Sequence, residues 1–201
     1  MYSFIKRLFD IFLSLILFLI LIPLLTIFMI LIKFDSKGPF IYKHKRLGKN
    51  NKNIYVYKIR TMYNDSDKTL NKMLEDDEIK KEYLDNFKVK NDPRITKLGK
   101  ILRKYYLDEL PQLINVIKGD MSLIGPRPIV EEEKKKYGEK IDKLLSVKPG
   151  LTGYWIVNGH NITDYKKRVE LELFYVDHQS IILDLKIFIK TIKIILNGKG
   201  I

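Results

Sequence analysis

The 201-residue chain carries 37 Lys and Arg against 24 Asp and Glu, a net charge of +13, and contains no cysteine. Its length bounds one principal folded unit plus attachments, and the missing cysteines exclude disulfide bridges and thiolate zinc sites and suit a reducing compartment. The positive balance demands an acidic partner, for which nucleic acid, an anionic leaflet and phosphate-bearing substrates all qualify.

Residues 8–32 are almost wholly apolar, interrupted by Asp10, two hydroxyl residues and Pro23. A continuous helix of that length crosses a hydrocarbon core of about 30 Å. Positive charge nevertheless flanks it on both sides, Lys6 and Arg7 before and Lys33, Lys37, Lys43, Lys45 and Arg46 after. A span must send one flank outward, whereas a re-entrant helix broken at Pro23 leaves both in the cytoplasm. The segment therefore predicts a re-entrant anchor over 1–34, followed by a cytoplasmic domain, 35–201. Gly38-Pro39 makes a turn, and Phe40–Tyr42 and Ile54–Ile59 read as short strands around a polar loop, Gly48 to Asn53. Lys58 and Arg60, two apart, share a side if the chain is extended, where both can reach phosphates or simply face solvent.

Residues 64–90 are dense in charge and carry a weak apolar stripe, read as a loosely packed helix. A turn at Asn91 to Thr96 precedes a short helix over Lys97–Tyr106; Asp92 and Arg94 there either buttress a site or bind substrate. Next comes LDELPQLINVIKGDMSLIGPRP, Leu107 to Pro128. A proline inside a helix costs a hydrogen bond but is tolerated in the first turn, so Pro111 makes Asp108 the expected N-cap. Leu110, Leu113, Ile114 and Ile117 then fall on one face, with Gly119 as the stop. The acid pair Asp108-Glu109 thus sits where free N–H groups favour an ionised carboxylate and an approaching phosphate. Arg103 contributes only if the chain turns between it and Asp108. Arg127, between Pro126 and Pro128, is held at low entropic cost and suits a phosphate or pyrophosphate. Asp followed by Glu is also ordinary helix punctuation when it stands alone.

Residues 131–145 predict a charged helix ended near Pro149-Gly150, and GLTGYWIVNGHN reads as extended chain and loop. His160 reads as a polar loop contact. Asp164 caps a helix to about Val176, and a last helix runs from about Leu183 to Leu196. Its Lys186, Lys190 and Lys193 share a face against a broad Leu, Ile and Phe surface, suiting either a membrane interface or a solvated basic face. Asp184 lies near its start.

YKIRTM (Tyr57 to Met62), DPRIT (Asp92 to Thr96), the Leu107–Pro128 stretch and KPGLTG (Lys148 to Gly153), behind an apolar N-terminal segment, together resemble the bacterial sugar transferases. The resemblance is to the small monotopic phosphoglycosyl transferases, especially the undecaprenyl-phosphate galactose or glucose phosphotransferase branch, and extends from Arg7 to Gly198. It implies a helix-rich α+β protein of the bacterial inner membrane, with a proline-broken re-entrant helix, interfacial amphipathic helices and an active site facing the cytoplasm. It implies transfer of a sugar 1-phosphate from a UDP-sugar to undecaprenyl phosphate, with Asp108 as nucleophile and Glu109 assisting. Mg²⁺ would be held partly by Asp108. Lys58, Arg103 and Arg127 would bind phosphate oxygens, with Arg60 and Asp184 completing the substrate set. The chain departs from the family pattern at Ile22 before the bend, at Ile156 where glutamine is usual, and at His160 where arginine is usual. No stacking or recognition-helix pattern points to nucleic acid. The alternatives are a basic membrane-anchored binding module and a glycosyltransferase that releases UDP.

Overall fold

The computed structural model describes residues 2–87, 89–159 and 164–198, a helix-rich α+β arrangement. The apolar run forms one helix, α1 (Tyr2–Asp35). α1 continues through Pro23, the position of the expected break, as a single helical element. Proline leaves the Leu19 carbonyl, one turn back, without its N–H partner, and three residues on the Thr26 hydroxyl donates to the Ile22 carbonyl at 3.0 Å, a back-bond of the kind that bends helices.

The Phe40 and Ile54 segments pair as an antiparallel hairpin, β1 (Ile41–Leu47) with β2 (Asn53–Ile59), with Tyr42 opposite Lys58 and His44 opposite Val56. β1 is longer than its apolar residues suggest, since Lys43, His44, Lys45 and Arg46 continue the ladder. The charged region after it makes two helices rather than one, α2 (Ser66–Met73) and α3 (Asp77–Asn86), because Asp76 caps the second through its carboxylate. α4 (Lys97–Lys104) is capped by Thr96. α5 (Gln112–Lys118) ends on Gly119 in the left-handed region.

A parallel pair follows, β3 (Ser122–Ile124) against β4 (Gly150–Thr152). The crossing is so close that a Cβ on Gly150 would lie 2.1 Å from the Gly125 nitrogen, so only glycine fits. Between them the expected 131–145 helix is interrupted into α6 (Lys134–Tyr137) and α7 (Ile141–Leu145) by Gly138, at φ 54°, with short 3₁₀ turns around them. α8 (Tyr154–Gly159) replaces the extended chain read there: Trp155 is buried, and its packing overrides a run of strand-forming residues. α9 (Tyr165–Asp177) is capped by Asp164 and α10 (Ile181–Leu196) by Ser180.

The core has three parts. Ile54, Val56, Leu113, Val116, Met121, Leu123 and Tyr175 form the first, covered by Leu13, Leu17, Phe18 and Leu21 of α1. Ile129, Tyr137, Leu144, Val169 and Leu173 form the second, and Ile32, Ile59 and Leu102 the third, with Leu25 and Phe28 against it. The contacts of α1 therefore recur every three or four residues from Leu13 to Ile32, one helical face laid along the domain.

Candidate active site

A turn, not a helix cap, displays the acid pair. After α4 ends at Lys104, Tyr106 takes φ 56°, swinging the chain into a 3₁₀ turn over Leu107–Glu109. Leu110 and Pro111 have helical torsions, and α5 begins at Gln112. Asp108 makes no capping bond, which corrects the N-cap expectation: the proline-bearing turn is tightened, and its carboxyl-bearing residues lie outside the α-helix proper. The same turn meets the condition on Arg103, which enters the electrostatic environment of Asp108, while Lys104 extends over the Tyr105 ring.

α5 is rotated from the stripe expected of it. Gln112, Leu113, Asn115 and Val116 are buried, while Leu110, Ile114 and Ile117 are only partly so. The cause is Asn115, whose amide accepts from Tyr57 N at 3.0 Å and donates to Tyr55 O at 2.7 Å. It pairs with β2 as another strand would, fixing the acid-bearing turn against the strand that carries Lys58.

Across that seam Lys58 Nζ donates to Glu109 Oε1 at 2.6 Å. Asp108 beside it is buried, and burial pushes its carboxyl above the usual range; Lys58 and Arg103 hold it down while Glu109 pushes it further up. Arg103 Nε donates to Thr61 Oγ1 at 2.9 Å, which orients the guanidinium. Lys58 and Glu109 open onto a cleft lined also by Arg46, Val56, Gln112, Arg127, Pro128, Gly150, Leu151 and Ile156.

Arg127 is held through its backbone. Pro126 O accepts from Gly150 N at 2.8 Å, Pro128 O from Arg46 Nη1 at 3.2 Å, and Arg127 N donates to both carboxylate oxygens of Glu172 at 3.1 and 3.2 Å. Its guanidinium lies 5.8 Å from the Trp155 ring centre, and Arg168 lies 4.8 Å from that ring. Arg168 donates to Glu133 at 3.1 Å, and Glu133 is also 3.5 Å from Arg46. Glu172 is completely buried, and that burial pushes its carboxyl up to about 7 against the opposing pull of Arg168 and of the Arg127 N–H. Burial, compounded by Arg46, Lys58 and Arg127, pushes the His44 imidazole down to about 3, so it is neutral; its Nδ1 lies 3.2 Å from Arg46 Nη2.

Lys58, Arg103, Arg127 and the acid pair are therefore brought together, and Arg60 and Asp184 are not. Arg60 lies just past β2, and its guanidinium donates to the carbonyls of Ser36 and Lys37 at the end of α1. Gly38, at φ 131°, makes room for it. Asp184 accepts from Tyr2 at 2.9 Å, Lys6 at 2.7 Å and Tyr175 at 2.7 Å, a buried anchor for the start of α1. Asp92 and Arg94 form a buried bidentate pair with each other. His160 lies outside the described residues. Sequence reasoning missed Arg46, Asn115, Glu133, Arg168 and Glu172, which have no telling local spacing.

A profile of bacterial sugar transferases matches residues 1–198. The chain belongs to the bacterial sugar transferase family. It is 44% identical over 98% of its length to the undecaprenyl-phosphate galactose phosphotransferase of Salmonella typhimurium, of which it covers 41%. It is 38% identical over 97% of its length to the exopolysaccharide production protein ExoY of Sinorhizobium fredii, covering 87% of that protein. An Aeromonas hydrophila UDP-N-acetylgalactosamine-undecaprenyl-phosphate N-acetylgalactosaminephosphotransferase is 35% identical over 99% of the chain and is covered for 45%. This sugar transferase thus spans about two fifths of the length of the first curated relatives it matches.

Proposed function

We propose that this sugar transferase moves a sugar 1-phosphate from a UDP-sugar to undecaprenyl phosphate, releasing UMP, as the opening membrane step of a surface glycan. The observation that carries the reading is the buried Asp108 beside a Lys58–Glu109 pair that lines a cleft together with Arg46, Gln112 and Arg127. Phosphoryl transfer is mostly positioning and charge stabilisation, which is what this wall supplies. Two of the relatives, from Salmonella typhimurium and Aeromonas hydrophila, are named phosphotransferases, which favours a phosphate travelling with the sugar.

In the first step an Asp108 oxygen attacks the phosphorus that bears the sugar. The aspartyl–phosphate bond forms as the diphosphate bridge breaks, and UMP carries away the bridging oxygen with its electron pair. In the second step an oxygen of undecaprenyl phosphate attacks the same phosphorus, leaving a lipid-linked sugar diphosphate and a free Asp108 carboxylate. Lys58 holds Glu109 in place, and Lys58, Arg103 and Arg127 are assigned to the phosphate oxygens. Asp108 and Glu109 also suit Mg²⁺, which binds through one or two carboxylates plus substrate phosphates rather than in an all-protein cage. The ion would be held by Asp108 and would neutralise diphosphate charge.

The membrane placement rests on α1, long and apolar enough to cross a bilayer. Its start is tied to Asp184 and its end to Arg60 of the same domain, while Phe4, Phe12, Leu19, Ile20 and Ile30 are exposed. A helix fastened at both ends to one charged domain favours re-entry, with Lys6 and Lys37 on the cytoplasmic side. Exposed Ile182, Leu185 and Ile189 on α10 suit the membrane interface.

Purified protein is to be given a panel of UDP-sugars with and without undecaprenyl phosphate. Release of UMP supports the reading; release of UDP supports sugar transfer without phosphate, and neither product would leave a binding module.

A further inference from the structure

Pro126 and Pro128 have no N–H groups, so Arg127 N–H is the only backbone donor in the Pro126–Pro128 segment. Glu172 takes it with both oxygens, from a helix 45 residues away and in complete burial. A buried carboxylate spent on one peptide N–H is costly unless other charge compensates it, and Arg168 Nε at 4.0 Å is the nearest ion-pair partner. Arg168 reaches Glu133 from the same place, and the Trp155 ring lies within cation–π range of both Arg168 and Arg127. None of these atoms belongs to the acid pair, yet together they set where the Arg127 side chain leaves the backbone.

We infer that Glu172 is a positioning residue, whose carboxylate fixes the Pro126–Pro128 segment so that the Arg127 guanidinium is presented to a phosphate in the cleft. The inference rests on the phosphate-binding part of the proposed function and not on the identity of the leaving nucleotide. Glutamine cannot replace Glu172 in full, because one of its two terminal atoms is a donor that would face either Arg127 N–H or Arg168.

The test is a double-mutant cycle on the full chain in detergent, read as inorganic pyrophosphate affinity by calorimetry, which needs no turnover. Glu172→Gln and Arg127→Lys should each weaken binding about tenfold, the loss of one well-oriented charged contact. The double variant should bind no more than about twofold worse than Arg127→Lys alone, since Glu172 acts through Arg127. Glu172→Gln combined with Lys58→Met should instead lose the product of the two separate effects. A general loosening of the cleft would couple Glu172 to Lys58 and Arg127 alike, which would overturn the inference. Unchanged affinity in Glu172→Gln, additive loss with Arg127→Lys, or no pyrophosphate binding by the parent would also overturn it. If Glu172→Gln fails to melt cooperatively, Glu172→Asp takes its place under the same criteria, because its shorter reach leaves Arg127 N–H unmet while keeping the charge near Arg168. A parent that binds pyrophosphate but releases UDP from a UDP-sugar would remove the proposed reaction and leave this cycle decisive for Glu172.

Discussion

The cleft and the seam along α1 are built from the same residue types used in opposite ways. In the seam, Arg7 donates to the carbonyls of Val116 and Ile117, Asp10 accepts from Leu123 N, Arg60 donates to Ser36 and Lys37, and Asp184 collects Tyr2, Lys6 and Tyr175. Each charge is consumed by structure. In the cleft, Lys58, Glu109, Arg46 and Arg127 line open space; Lys58 and Glu109 hold each other, and the ties of Arg46 and Arg127 run behind them, to Glu133 and Glu172. What separates a functional charge from a structural one here is how its donors are spent, not its type or its distance from a motif.

Substitutions that confuse the two regions' roles would break this comparison. The largest effect is expected from Asp108→Asn, which should lower UMP release by at least about 10³-fold, since an amide is a poor nucleophile. It should leave the melting temperature unchanged or higher, because a buried carboxyl whose ionised form is disfavoured is replaced by a neutral amide; a large fall in stability would assign Asp108 to structure. Arg127→Lys should cost about 10- to 100-fold in activity with normal folding, because a point charge cannot reproduce the guanidinium fork. Activity within about twofold of the parent would move Arg127 into the structural group.

The seam should answer in the other currency. Asp184→Asn leaves three donors competing for one acceptor oxygen and should cost about 3 kcal/mol in detergent unfolding, the scale for breaking a buried pair. Its folded fraction should retain the parent's turnover. Loss of turnover in excess of lost folding would return Asp184 to the substrate set.

The boundary between the regions also explains what the sequence disclosed. The acid pair, Arg127 between its prolines, the cap Asp164 and the final helix are local patterns, and the sequence carries them openly. Lys58 and Arg60 share a motif, but β2 ends at Ile59, so the Arg60 guanidinium turns to the carbonyls just past α1; two-residue spacing cannot report a strand's end. Asn115 reads as a solvent position in a helical stripe, whereas it bonds the β2 backbone in full burial. Arg46, Glu133, Arg168 and Glu172 are spread over 127 residues, and only the closed fold makes them one network. The helix expected through 131–145 failed at Gly138, where a positive φ ends a pattern that charge spacing alone would continue.

The smallest effect is a displacement of the pH profile. Burial raises the Asp108 carboxyl, Lys58 and Arg103 oppose that, and Glu109 adds to it. Only the carboxylate can attack, so the first step should slow as pH falls through that raised value. Glu109→Gln removes the neighbouring negative charge and frees Lys58, so the acid limb of single-turnover UMP release should move to lower pH even as turnover slows. A shift to higher pH would mean that Glu109 does not share the titration of Asp108.

The most direct test of the central claim is to incubate the protein with a UDP-sugar and Mg²⁺ in the absence of undecaprenyl phosphate, quench, and map the peptides by mass spectrometry. Covalent transfer through Asp108 predicts UMP at no more than one equivalent per enzyme and one hexose phosphate on the peptide containing Asp108, both absent from Asp108→Asn. UMP that appears only when the lipid is present, with no adduct trapped, would contradict it and make direct attack by the lipid phosphate the mechanism.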